Sequence, residues 1–120
     1  MKVFVYGTLK QGYGNHRLMI ESKGKFLGKD KIVGYACINT RSFPYAEKKD
    51  GYKIIGEVYE LISNDLSLLD QLEGYPTHYS RSEVTTKFGL AWVYHLPEPD
   101  EELAKEYGIV EEWFGRRYLY

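Results

Sequence analysis

A chain of 120 residues with 43% hydrophobic residues can bury one core and is too short for two, so it reads as one domain spanning residues 1–120. Its formal net charge of −1 gives no electrostatic case for a nucleic-acid partner, and no apolar run approaches the roughly 20 residues of a membrane-spanning helix. The single cysteine, Cys37, excludes an internal disulfide framework and fits a reducing compartment. A lone Lys2 ahead of a short apolar run is no secretory leader pattern, and a cytoplasmic protein is expected. Twelve tyrosines are the one compositional excess; tyrosine suits strands and pocket walls, where the ring is buried and the hydroxyl finds a partner.

In chain order, Lys2–Tyr6 reads as a short, fully buried strand that stops at Gly7. Gly7-Thr8-Leu9-Lys10-Gln11-Gly12 then forms a glycine-kinked loop whose backbone amides can face an oxygen-bearing ligand. The spacing is that of a phosphate loop, but Tyr13 and Gly14 stand where that motif needs Lys and Ser or Thr, so a nucleotide phosphate is a poor fit. Asn15 is placed to cap a short helix carrying Leu18, Met19 and Ile20. Gly34–Asn39 reads as a strand with a bulged or close-packed start, and Ser42–Ala46, interrupted by Pro44, as an edge strand or turn entry. Lys48-Lys49-Asp50-Gly51 is a hairpin signal centred on Asp-Gly. Tyr52–Leu61 is a β-branched and aromatic strand.

The period then changes. Ser63 in the cap position, Asp65 in the first turn, Leu66, Leu69 and Leu72 on one face, Gly74 at C′ and Pro76 beyond it predict a helix. Tyr79–Thr86 and Leu90–Leu96 form a hairpin around Lys87–Gly89, and Asp100–Tyr107 is a short helix with an acidic first turn. The aromatic tail from Trp113 to Tyr120 should pack against the body. Strands and short helices without regular alternation argue for α+β on a mostly antiparallel, barrel-like sheet.

Glu73 is the candidate for chemistry. It closes the predicted helix at the negative end of the macrodipole, where a carboxylate is disfavoured by about 0.3–1 kcal/mol. Tyr75, Pro76 and Tyr79 would shield it from water, and both effects raise a carboxyl pKa towards what a general base needs. Arg81 would cancel the effect if it paired with Glu73, and an ordinary exposed helical glutamate is the alternative. His16, His78, His95 and Cys37 fall in no metal-ligand spacing, so no metal is expected. Lys23, Lys25, Lys29 and Lys31 read as a solvated basic stripe.

Tyr6-Gly7-Thr8-Leu9-Lys10, followed by Gly12 and Asn15, together with Leu69-Asp70, Glu73-Gly74-Tyr75-Pro76, Tyr79 and Arg81, resembles the gamma-glutamyl cyclotransferase-like family. Gly56–Tyr59 and Trp92–Tyr94 are similar to it as well, so the match covers nearly the whole chain. The Thr-Leu-Lys form of the first motif resembles the γ-glutamylamine branch. The resemblance implies a barrel-like sheet flanked by helices, with a cavity between the first loop and Glu73. It implies cofactor-free cyclisation of a γ-glutamyl amine or amino acid to 5-oxoproline, Glu73 acting as general acid/base. Gly7, Thr8 and Leu9 would cradle the carboxylate or oxyanion, and Tyr6 and Tyr79 would line the cavity and orient Glu73. The expected partner is a small γ-glutamyl molecule, with neither nucleic acid nor membrane. A non-catalytic binding module of the same fold, or an interaction protein using its tyrosine-rich surface, are the competing classes.

Overall fold

The computed structural model describes residues 1–62 and 64–115. Nine elements follow in the order β1 (Lys2–Val5), α1 (His16–Glu21), β2 (Gly24–Ile38), β3 (Tyr45–Leu61), α2 (Ser67–Glu73), β4 (Ser80–Thr86), β5 (Gly89–His95), α3 (Glu101–Tyr107) and β6 (Ile109–Val110). The six strands form one sheet in the order β4-β5-β1-β3-β2-β6. Every neighbouring pair is antiparallel except β1 with β5, which meet in parallel at Val3 and Trp92. This is the α+β, mostly antiparallel architecture expected from the element pattern.

β1 is buried on both faces because the period-2 alternation of a strand sends its side chains into two cores. Phe4 and Tyr6 join Ile54, Val58, Val93 and Trp113 on one side, while Val3 and Val5 join Met19, Tyr59, Leu69 and Tyr79 on the other. The sheet curls back on itself. The turn between β4 and β5 reaches β2, where the Lys87 amide donates to Asp30 Oδ2 at 2.7 Å and the Phe88 ring fills the space a Cβ on Gly28 would need. Gly56 in β3 permits a second close approach, since a Cβ there would lie 2.3 Å from the Val5 carbonyl oxygen and 2.7 Å from the Phe4 ring.

Asp50-Gly51 does not end a strand. β3 runs unbroken from Tyr45 to Leu61, and its register against β2 shifts between Val33↔Lys53 and Tyr35↔Lys48. Residues 49–52 therefore bulge opposite Gly34, and Gly34 (φ 84°) and Gly51 (φ 87°) take the left-handed backbone that the bulge requires. The chain reversal lies instead between Ile38 and Tyr45, with Pro44 at the entry to β3. The bulged start expected at Gly34 is thus real, but it interrupts one long strand that begins at Gly24.

The expected helical cap at Ser63 lies outside the described residues. α2 starts at Ser67, and Asp65 precedes it, its Oδ1 accepting from the Ser67 amide at 2.9 Å. Of the predicted leucine face, Leu66 and Leu69 are buried and Leu72 is exposed. Asn15 sits before α1 without capping it, for its side-chain amide donates to Thr8 Oγ1 at 2.9 Å. Asp100, read as the first residue of the last helix, instead caps α3, accepting from the Leu103 amide at 3.0 Å. Trp113 packs back fully, 1% exposed, with Nε1 donating to the Thr40 carbonyl at 2.7 Å. Residues 116–120 of the predicted aromatic tail lie outside the described part. No helix among the described residues is long and apolar enough to cross a membrane.

Candidate functional site

The end of β1 and the end of α2 meet because the Val5 side of β1 and Leu69 of α2 share one core. Between them lies a cavity of about 330 Å³, within the range of small-molecule sites. One wall is Tyr6, Gly7, Thr8 and Leu9; the other is Leu72, Glu73, His78 and Tyr79. Phe43, Pro44, Asn15 and Tyr94 also contribute to the lining. All six residues singled out in the sequence (Tyr6, Gly7, Thr8, Leu9, Glu73 and Tyr79) therefore line one cavity.

The glycine loop is held by its carbonyls. The Gly7 carbonyl accepts from the Lys10 amide at 3.0 Å, the Thr8 carbonyl from the Asn15 amide at 3.0 Å, and the Leu9 carbonyl from His16 Nδ1 at 2.9 Å. The amide hydrogens of Gly7, Thr8 and Leu9 go to no acceptor among the described residues. Loops tied back in this way leave donors for a ligand oxygen. Thr8 Oγ1 accepts from Asn15, which leaves its own hydrogen free to donate outward. Gly7 is required by space rather than by φ: a Cβ there would lie 2.7 Å from Pro44 Cδ. The loop's cation turns away from the cavity. Lys10 is buried, and its Nζ donates to the Trp113 carbonyl at 2.5 Å between the Tyr13 and Phe114 rings.

Glu73 is the last residue of α2, and Gly74 closes the helix in the left-handed conformation (φ 65°, ψ 34°). The His78 amide donates back to the Gly74 carbonyl at 2.8 Å, folding the next segment against the helix end and delivering His78 and Tyr79 to the cavity. Burial pushes the Glu73 carboxyl up to about 7. No side chain or amide among the described residues hydrogen-bonds to it.

The shielding differs in detail from the sequence expectation. Tyr75 and Pro76 are exposed, and it is Tyr6, Tyr79, Tyr94 and Leu72 that surround the carboxyl's cavity. Tyr6 and Tyr79 line the site but do not hydrogen-bond to Glu73. The Tyr6 hydroxyl donates to the Tyr94 carbonyl at 2.7 Å and the Tyr79 hydroxyl to the Pro44 carbonyl at 3.4 Å. Each phenol has one hydrogen, and a backbone carbonyl already holds it. Both phenols are raised in pKa, first by burial and then by neighbouring charge including that of Glu73, so they remain neutral walls.

Arg81 does not pair with Glu73. Its Nε lies 3.2 Å from Asp70 Oδ1, and its guanidinium is sandwiched between the Tyr75 ring at 4.2 Å and the Trp92 ring at 4.8 Å. Asp70 also accepts from the Tyr94 hydroxyl at 2.6 Å. The sequence carried no signal for the contributions of Pro44 and Tyr94, which are set by long-range packing. Asn15 was visible there as a helix cap and as part of the first motif. Among the described residues, no group of three or more His, Cys, Asp or Glu side chains converges as a metal site.

Comparison with known proteins places the chain in a family. Residues 3–114 match the family model described as gamma-glutamyl cyclotransferase, AIG2-like. A Methanocaldococcus jannaschii protein named "Putative gamma-glutamylcyclotransferase" is 36% identical over 102 residues, covering 80% of this chain and 84% of that protein. A Drosophila melanogaster protein of the same designation is 38% identical over 119 residues, covering 88% and 76%. The crystal structure of an AIG2-like protein from Mus musculus superposes with a TM-score of 0.79 at 25% identity, covering 99% of this chain and 95% of that one. The chain belongs to the gamma-glutamyl cyclotransferase, AIG2-like family.

Proposed function

We propose that this protein converts a γ-glutamyl amine or γ-glutamyl amino acid to 5-oxoproline and the free amine, with Glu73 as general acid and base. The observation that carries the reading is a partly buried carboxyl, raised to about 7, that shares one cavity with the amides of Gly7, Thr8 and Leu9, none of them hydrogen-bonded among the described residues. A site that merely bound an anionic glutamyl group would gain nothing from a second, desolvated carboxyl beside it.

The reaction needs no outside nucleophile. The α-amine of the γ-glutamyl group is protonated at neutral pH, and the Glu73 carboxylate takes one proton from it. The freed lone pair attacks the γ-carbonyl of the same molecule, closing a five-membered ring and pushing the carbonyl electrons onto oxygen. Amides of Gly7, Thr8 and Leu9 hold the substrate carboxylate or the developing oxyanion; a lost donor of that kind typically costs about 2.7–4 kcal/mol in the transition state. As the tetrahedral centre collapses, the original amide C–N bond breaks and Glu73 delivers its proton to the departing nitrogen; the ring nitrogen's remaining extra proton then passes through the freed Glu73 carboxylate to the released amine, which leaves as the ammonium ion. Amine and carbonyl are already tethered, so the walls formed by Tyr6 and Tyr79 need only fold the chain into a near-attack geometry.

The test is incubation with a panel of γ-glutamyl amines and γ-glutamyl amino acids, reading 5-oxoproline by mass spectrometry. Glu73→Gln is expected to abolish product while the fold persists. Turnover at the wild-type rate in that variant would refute the mechanism.

A further inference from the structure

Beside the cavity stands a charged cluster that the proposed chemistry leaves unused. Asp70 lies three positions before Glu73 in α2, and residues so spaced are neighbours on a helix surface. An ionised Asp70 would oppose ionisation of Glu73. Arg81, reaching across from β4, sits against Asp70 and is held there by two aromatic rings, 19% exposed against 24% for its partner. The Asp70 oxygen next to Arg81 also takes the Tyr94 hydroxyl, and the Tyr94 carbonyl takes the Tyr6 hydroxyl. One connected path therefore runs from Arg81 to two walls of the cavity.

We infer that Arg81 is a positioning residue for Glu73: it cancels the charge of Asp70 and pins the last turn of α2 to β4 and β5. The inference takes Glu73 as the proton carrier proposed above. Other groups facing the cavity do not do this work. Tyr6 just after β1, Tyr94 from β5 and Tyr79 after α2 are neutral phenols with raised pKa, and His78 is the remaining titratable group beside Glu73 in the lining. At Tyr94, burial, the Asp70 bond and the Asp70 charge all raise the phenol, and the Arg81 charge acts against them.

The consequence is a pair of opposite shifts. Arg81→Met keeps the length and apolar stacking of the side chain but leaves Asp70 uncompensated, so the Glu73 carboxyl should titrate higher by about one pH unit. Asp70→Asn keeps an acceptor for the Tyr94 hydroxyl but leaves the guanidinium unopposed, so Glu73 should titrate lower by a similar amount. The double variant removes both charges and should return to near the wild-type value.

The experiment is a carbon-13 NMR titration of protein labelled at the glutamate side-chain carboxyl carbon. The Glu73 signal is identified by its absence in Glu73→Gln. The readout needs no substrate and no turnover, so it stands or fails apart from the proposed reaction. Opposite shifts in the single variants with restoration in the double support the role. Unchanged titration in folded variants, or shifts of one sign in all of them, would overturn it, because a purely structural clamp predicts no change of sign. If Arg81→Met does not fold, Asp70→Asn decides alone: a lower value supports the role and an unchanged one overturns it.

Discussion

Replacing Glu73 with glutamine exchanges an ionisable, partly buried carboxyl for a neutral group of nearly the same shape, and its raised pKa sets the sign and approximate size of the effect on stability. In the folded protein the carboxyl titrates at about 7 against an ordinary value of 4.5, raised by burial. Between those values the native state holds a proton that the unfolded chain has released. The stabilising contribution of this group is therefore complete below about pH 4.5 and is lost as pH rises through about 7. The difference of about 2.5 units corresponds to roughly 3 kcal/mol at full ionisation. Burying the unpaired glutamine amide costs about 1–2 kcal/mol of that back. Glu73→Gln should accordingly be more stable than wild type by about 1–2 kcal/mol at pH 8, a rise of several degrees in Tm for a chain of this length. Near pH 4 the advantage should vanish or reverse, since both proteins are then neutral at this position. Thermal melts of the two proteins from pH 4 to pH 8 make the measurement. A melting difference that does not change with pH, or a variant less stable than wild type at pH 8, would refute the claim that Glu73 is held neutral by burial.

The same raised value predicts the pH dependence of turnover: kcat/KM for 5-oxoproline release should climb tenfold per unit below about pH 7 and level off above it, since only the carboxylate can accept the proton. Gly7→Ala forces a Cβ to within 2.7 Å of the Pro44 ring, so the loop or the Pro44 segment must move. A loss of about 1–3 kcal/mol in urea unfolding is expected, with a fall in kcat of tenfold or more as the loop amides shift. Trp113→Ala empties a site that is 1% exposed and removes the donor to the Thr40 carbonyl, and should cost about 3–5 kcal/mol by the same unfolding measurement.

What was legible in the sequence was whatever is encoded locally. An apolar run stopped by Gly7, a leucine-faced helix ended by Gly74 and a hairpin around Lys87–Gly89 each carry their own signal within a few residues, and each forms, although α2 starts only at Ser67 and leaves Leu72 exposed. The Asp50-Gly51 signal is equally local and misleads. Its backbone does take the left-handed turn, but continued pairing of β3 with β2 on both sides turns a reversal into a bulge. β6 has two residues and no pattern of its own; it exists because Cys37 and Ile38 leave an edge to which it can bond.

The site divides along the same line. That Glu73 stands at a helix end, and that Gly7 opens a loop of amides, are facts of short spacing. Which carboxylate Arg81 pairs with is not: Asp70 and Glu73 are both within its reach in sequence, and the two rings that hold the guanidinium come from different segments of the fold, Tyr75 after α2 and Trp92 in β5. The choice has chemical weight. An arginine on Glu73 would have lowered its pKa and made it a structural ion pair, whereas an arginine on Asp70 leaves Glu73 to the cavity alone. The helix end disfavours the anion only by a few tenths of a kcal/mol to about 1 kcal/mol, while burial moves the carboxyl by about 2.5 units. The direction was therefore readable from position in α2, but a value near neutrality comes from burial in a cavity walled by Tyr79 close by and by Tyr6 and Tyr94 from distant parts of the chain.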